Sequence, residues 1–302
     1  EGNIAEDYLR MRADWFDRCL KPGGGNAPPD PADDGAPVRY FRMGGGPGRR
    51  NEAGRLEHGG CWRSAADWPI PATQFQNWYL HADGSLRPAL PSSADAALSY
   101  DFDPENPVPT IGGAVTSGEP LMYPGAYDQR THEKVYGARA PFLPLAARRD
   151  VLVFESADLE EDLEVTGPIF VKLWISSSAP DTDFTAKLID WHPPSADYPR
   201  GYAMNLTDGI RRCRYRESAE REVFLEPGKV VEVVIEPMPT SNLFRKGHRI
   251  RLDISSSNFP RFDVNPNTGE PEGRALRKQV ALNTVHVSRV HGSHIVLPVI
   301  PA

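Results

Sequence analysis

From about residue 78 onward the chain carries short apolar runs of period two, with no helix-length segment between them. "IFVKLWIS" (169–176) sets Ile169, Val171, Leu173 and Ile175 against Phe170, Lys172 and Trp174. Alternate residues of a strand face opposite sides, so such a run buries one face. "FTAKLIDW" (184–191), "VVEVVIEP" (230–237), "RIRLDIS" (249–255), "TVHVS" (284–288) and "HIVLPVI" (294–300) follow, separated by Pro, Gly, Asn and Asp turns. A doubly wound parallel sheet needs a helical crossover between strands, so that architecture is excluded here. The pattern predicts a sandwich or jelly roll.

The first 20 residues are the exception. Ile4, Tyr8, Met11 and Trp15 recur at helical spacing, with Phe16 and Leu20 widening the stripe. "KPGGG" (21–25) ends that helix. "VRYFRMG" (38–44) reads as a strand and the glycine-rich 44–60 as a surface loop. No Gly-Lys-Ser/Thr and no helix follow these glycines, so they do not read as a phosphate loop. The first residue is Glu rather than Met, so further sequence is expected upstream.

A length of 302 residues suits one large all-β domain or two domains. A net charge of −7 argues against a nucleic-acid partner. "RRCRYR" (211–216) is the local exception; on a strand Arg212, Arg214 and Arg216 would share one face, solvated or paired with carboxylates. Cys19, Cys61 and Cys213 are scattered and odd in number, which fits neither a disulfide framework nor a structural zinc site. A reducing, cytoplasmic setting is expected. No apolar run approaches the ~18 residues of a membrane span and no signal peptide is seen.

Two stretches invite a nucleophile reading: "ISSSAPDTDF" (175–184) and "ISSSNFPRFD" (254–263). An activated serine needs a strained strand-to-helix turn, whose usual sign, Gly-x-Ser-x-Gly, is absent. Ser176–Ser178 and Ser255–Ser257 therefore read as matching strand ends, with Asp181, Asp183 and Asp263 as turn formers. His286, His291 and His294 are the closest histidines, but no Asp, Glu or Cys joins them at ligand spacing, and no metal is expected. "DFDPENP" (101–107) and "DVNPNTGE" (263–270) are rich in oxygen ligands but lack the calcium-loop pattern, so Asx-turns explain them. The aromatics of "CWRSAADWP" (61–69) and "NWYL" (77–80) read as buried anchors, or, if exposed, as a sugar-stacking platform.

Taken in order, these stretches resemble one family. They are "WFDRCL" (15–20), "VRYFRMG", "CWRSAADWPIP" (61–71), "YDFDPENPVPTIGG" (100–113), "GAYDQR" (125–130), "DVLVFESADLEEDLEVTGPI" (150–169), the two Ser-Ser-Ser segments, "GYAMNLTDGIRRCRYRES" (201–218) and "SHIVLPVI" (293–300). The chain resembles the C-terminal portion of the cocaine esterase / α-amino-acid ester hydrolase / X-Pro dipeptidyl-peptidase group of serine hydrolases. The resemblance implies a mainly β fold, a jelly-roll (galactose-binding-like) β-sandwich over 79–302. It implies that residues 1–78 are the tail of an α/β-hydrolase domain, beginning after all three positions of a Ser-Asp-His triad. No catalytic residue is therefore expected here. The implied partners are the N-terminal hydrolase domain and a small-molecule ester or amide, with homo-oligomer contacts a further option, and no nucleic acid, membrane or cofactor. The loop after Gly112–Gly113, "AVTSGEPLMYPGAYDQR" (114–130), would lend Val115, Thr116, Ser117 and Tyr123 to the wall of the acyl pocket; the alternative is an ordinary surface loop. Two rivals stand beside this reading: a free-standing carbohydrate-binding module and a metal-dependent enzyme built on His286, His291 and His294.

Overall fold

The computed structural model describes residues 8–21, 36–115, 118, 120–236 and 238–301. Two compact units divide the chain, 1–71 and 72–302. In the first, helix α1 (Tyr8–Leu20) carries the expected stripe from Met11 onward, while Ile4 lies outside the described residues. Leu9, Trp15, Phe16 and Leu20 are all exposed on it. Strands β1 (Val38–Gly44) and β2 (Gly60–Ala65) pair antiparallel, and Phe41 meets Trp62 edge to face at 5.5 Å. The glycine-rich connection is packed on itself. A Cβ on Gly46 would lie 2.4 Å from the Gly59 nitrogen, so the two arms of this connection meet backbone to backbone.

The second unit contains β3 (Gln74–Leu80), β4 (Leu86–Arg87), β5 (Ala97–Phe102), β6 (Leu152–Glu155), β7 (Leu163–Gly167), β8 (Phe170–Ser177), β9 (Asp183–His192), β10 (Tyr202–Arg212), β11 (Val231–Ile235), β12 (Thr240–Phe244), β13 (Arg249–Ser255), β14 (Ala281–His286) and β15 (His294–Ile300). One sheet runs β12-β7-β15-β8-β14-β5, with β11 also along β8, and β3 along β15 carrying β4. The other runs β10-β9-β13-β6. All these pairings are antiparallel. One edge of β8 is shared: residues 170–172 pair with β15 and 174–177 with β14. Ser293 closes the gap between them, its hydroxyl accepting from the Trp174 amide and donating to the His286 carbonyl.

The period-two pattern explains the core. Val171, Leu173 and Ile175 from β8 meet Phe184, Ala186 and Leu188 from β9 and Ile250, Leu252 and Ile254 from β13 in one buried cluster. Each large aliphatic side chain so buried contributes roughly 1.5–3 kcal/mol. The fold is thus a β-sandwich, as the spacing predicts.

The second face of β9 is also buried: Thr185, Lys187 and Ile189 on it are all covered, Ile189 completely. The long segment between β5 and β6 does this. Val108, Ile111, Leu145 and Val151 form a small second core there. Gln129 accepts a hydrogen bond from the Lys187 ammonium at 2.6 Å.

"RRCRYR" departs from the expected strand face. Strand β10 stops at Arg212 and 213–215 turns as a single 3₁₀ turn, closed by the Arg216 amide on the Cys213 carbonyl. At this turn Cys213 is buried in the core. The three arginines then diverge to separate carboxylates: Arg212 to Asp183, Asp263 and Glu272, Arg214 to Asp181 and Glu222, Arg216 to Glu217. No helix among the described residues is long and apolar enough to cross a membrane.

Candidate functional site

The two serine clusters work as strand staples. The Ser177 hydroxyl donates to Asn283, and that of Ser178 accepts from the Leu282 amide. The Ser255 hydroxyl donates to the Asp150 carbonyl, Ser256 bonds Tyr100 and Asn283, and Ser257 accepts from the Val108 amide. Ser176 alone meets an imidazole, with 3.0 Å between its oxygen and His286 Nε2. No described carboxylate bonds that ring; Asp95 acts on it only through charge, and burial pulls its pKa down. Ser176 also sits within a regular strand, so it lacks the strained turn and oxyanion donors of a nucleophile. Asp181 and Asp183 do more than form turns: both are buried and hold arginines.

The histidines proposed as a metal set are dispersed. The His286 and His291 rings lie 5.7 Å apart, His291 packs on Trp174, and His294 packs on Tyr79 while bonding the Gly292 carbonyl. Their ligand atoms do not converge. The oxygen-rich stretches are Asx-turns: Asp103 accepts from the Glu105 amide, and Asn265 accepts from the Asn267 amide.

The concave feature of interest lies on the covering segment. Gly112 and Gly113 both take positive φ, +66° and +108°. Gly113 exchanges two backbone hydrogen bonds with Gly125, at 2.7 and 3.1 Å, which clasps the base of the loop. A Cβ at Gly112 would stand 2.4 Å from the Gly125 carbonyl oxygen, so only glycine fits. Downstream, the Tyr127 amide donates to Asn205 Oδ1, and Asp128 accepts from the Ala203 amide on β10. Beside this clasp opens a hollow of about 500 Å³, walled by Met122, Tyr123, Tyr127, Tyr202, Asp128 and Arg130 among others. Tyr123, expected from the sequence, lines it; Val115 lies next to the clasp, its amide bonded to the Gly113 carbonyl, and is not among the wall residues. Thr116 and Ser117 lie outside the described residues. Sequence reasoning passes over Tyr202, which reaches the hollow from β10; no local pattern marks it.

Burial pushes the Asp128 carboxyl above its ordinary value, against the Ala203 amide and nearby arginines. Burial likewise pushes the Tyr202 phenol up to about 12. The wall therefore combines aromatic and apolar side chains with the polar Asp128, Arg130, His132 and Lys134. It can hold an apolar or aromatic group, and it presents no nucleophile with a matched base.

A family model described as the X-Pro dipeptidyl-peptidase C-terminal non-catalytic domain matches residues 31–296. Cocaine esterase of Rhodococcus sp. (strain MB1 Bresler) is 39% identical over 251 residues, which cover 79% of this chain and 40% of that protein. The crystal structure of an aminopeptidase from a marine sediment Thaumarchaeota archaeon superposes with a TM-score of 0.67 at 30% identity, covering 83% of this chain and 40% of that one. An α-amino acid ester hydrolase superposes with a TM-score of 0.69 at 27% identity over 95% of this chain and 44% of its own. This chain thus spans less than half the length of each of these relatives. The sandwich, the stapling serines and the match across most of the chain agree: the protein belongs to the X-Pro dipeptidyl-peptidase C-terminal non-catalytic domain family, the non-catalytic C-terminal part of serine hydrolases of the cocaine esterase type.

Proposed function

We propose that this chain walls the acyl pocket of a serine hydrolase. In the whole protein the sandwich packs on an N-terminal α/β-hydrolase domain, and residues 1 to about 78 are that domain's tail. The exposed apolar stripe of α1 supports the second point, because Leu9, Trp15, Phe16 and Leu20 need a surface to cover them. The partner domain supplies a serine that attacks an ester or amide carbonyl and a histidine that carries the proton, through an acyl-enzyme. This chain supplies shape: Tyr123 and the clasped loop meet the acyl group, and Val115, Thr116 and Ser117 stand on the same loop. The observation that supports the reading is the hollow beside Gly112 and Gly113, on the loop expected to border the acyl pocket. Three free cysteines fit a cytoplasmic setting.

The test uses nitrophenyl esters of graded acyl size. The 302-residue chain alone is expected to show no serine-dependent turnover. In the whole hydrolase, Tyr123→Ala is expected to shift kcat/KM between small and aromatic acyl groups by about tenfold, near 1.4 kcal/mol of differential binding. A uniform change across acyl groups, or turnover by the isolated chain, overturns the proposal.

A further inference from the structure

At one end of the sandwich, three ligand-type side chains converge. Asp190 and His192 stand two apart on β9 and so share a face. That face is the inner one, continuing Phe184, Ala186 and Leu188. His248 lies at the mouth of the β12–β13 turn, where the pairing of Arg249 with Trp191 sets it opposite His192. The His192 and His248 rings are 4.2 Å apart between centroids. His248 Nδ1 is 2.8 Å from Asp190 Oδ1, and His192 Nε2 is 3.6 Å from Asp190 Oδ2. All three ligand atoms lie within 4.8 Å of one another. Ligands on a tetrahedral zinc ion are about 3.3 Å apart, given bonds of about 2.0–2.1 Å. Small side-chain rotations close the difference.

Charge gives a second, independent argument. The other buried aspartates each hold an arginine: Asp150 with Arg148, Asp181 with Arg214, Asp183 with Arg212, Asp253 with Arg251. Asp190 is as deeply buried, and its described partners are the Asn242 amide and the two imidazoles. A carboxylate so enclosed needs a positive charge beside it. The Asn242 amide, 3.2 Å from Asp190 Oδ2, comes from β12 of the facing sheet and orients the carboxylate from behind, as outer-shell groups do around metals.

We propose that Asp190, His192 and His248 bind a divalent transition-metal ion of the zinc type. The ion would take the place of the direct His248–Asp190 contact. Two imidazoles and one carboxylate suit zinc, cobalt or nickel, and leave one position open. The site tethers β9 to the β12–β13 turn and is separate from the hollow near Tyr123.

The experiment is a titration of the untagged, chelator-treated 302-residue chain with zinc chloride by calorimetry, and with cobalt(II) by visible absorption. One ion per chain is expected, with tetrahedral cobalt bands and no thiolate charge-transfer band. His192→Ala and His248→Ala should each abolish that binding, and Asn242→Ala should weaken it by about tenfold. His286→Ala should leave it unchanged. No zinc uptake by the wild-type chain would mean that Asp190 is accommodated by its protein partners alone, and would overturn the proposal. Binding that survives both histidine substitutions, or that shows a thiolate band, would overturn it equally.

Discussion

Arg214 shows how much one residue carries here. Its side chain is 2% exposed and that of Asp181 is fully covered, with Nε 2.8 Å from Oδ2. The Arg214 amide also donates to Asp181, and Asn265 donates to both Asp181 and Asp183. Removing one member of such a pair strands a buried charge, so Arg214→Met should cost about 3–5 kcal/mol in urea unfolding. A loss below about 1 kcal/mol would show that the pair does not hold the 263–270 loop to the sandwich. At this scale the sequence is half legible. Serines following apolar runs read correctly as strand ends, because their hydroxyls can only serve nearby backbone and amide groups there. The roles of Asp181 and Asp183 depend on arginines some thirty residues away, and nothing local signals them. The Asp190–His192 spacing is visible on a strand, but His248 joins it only through sheet register.

Among the elements, strands are legible where a short apolar or β-branched run is bounded by turn residues. "VRYFRMG", "RIRLDIS" and "HIVLPVI" match β1, β13 and β15 end to end. Strand β10 is harder to read, since its residues after Asn205 are only partly buried and carry no clear alternation. It nevertheless anchors the covering segment. Asp128 pairs with Met204 and accepts the Ala203 amide, and burial raises its carboxyl above the ordinary aspartate value. A carboxyl raised in the folded state holds its proton more tightly there than in the unfolded chain. Its stabilising contribution is complete below the ordinary aspartate range and is lost as pH rises through the folded value. Urea midpoints taken from pH ~4 to pH ~7 should therefore fall less steeply in Asp128→Asn than in the wild type. Equal slopes would mean that this carboxyl is not the group responsible.

At the scale of the whole molecule, every member of the main core lies between Leu80 and Val299. Composition places a change of character near residue 78, where turn-rich sequence gives way to strands. The compact units divide at 71/72, because β3 is held by β15 near the far end of the chain. Such long-range pairing is invisible to local pattern. Residues 72–302 produced alone should unfold in one cooperative step with native-like near-ultraviolet circular dichroism; a broad, uncooperative transition would show that the core is incomplete without residues 1–71. The position of β15 also bears on how the molecule is made. This strand lies between β3 on one side and β7 and β8 on the other, yet of the fifteen strands among the described residues it is the last to leave the ribosome. Until it emerges, a growing chain must keep the β15-facing edge of β3 open, a slot that a chaperone or a neighbouring nascent chain can fill first.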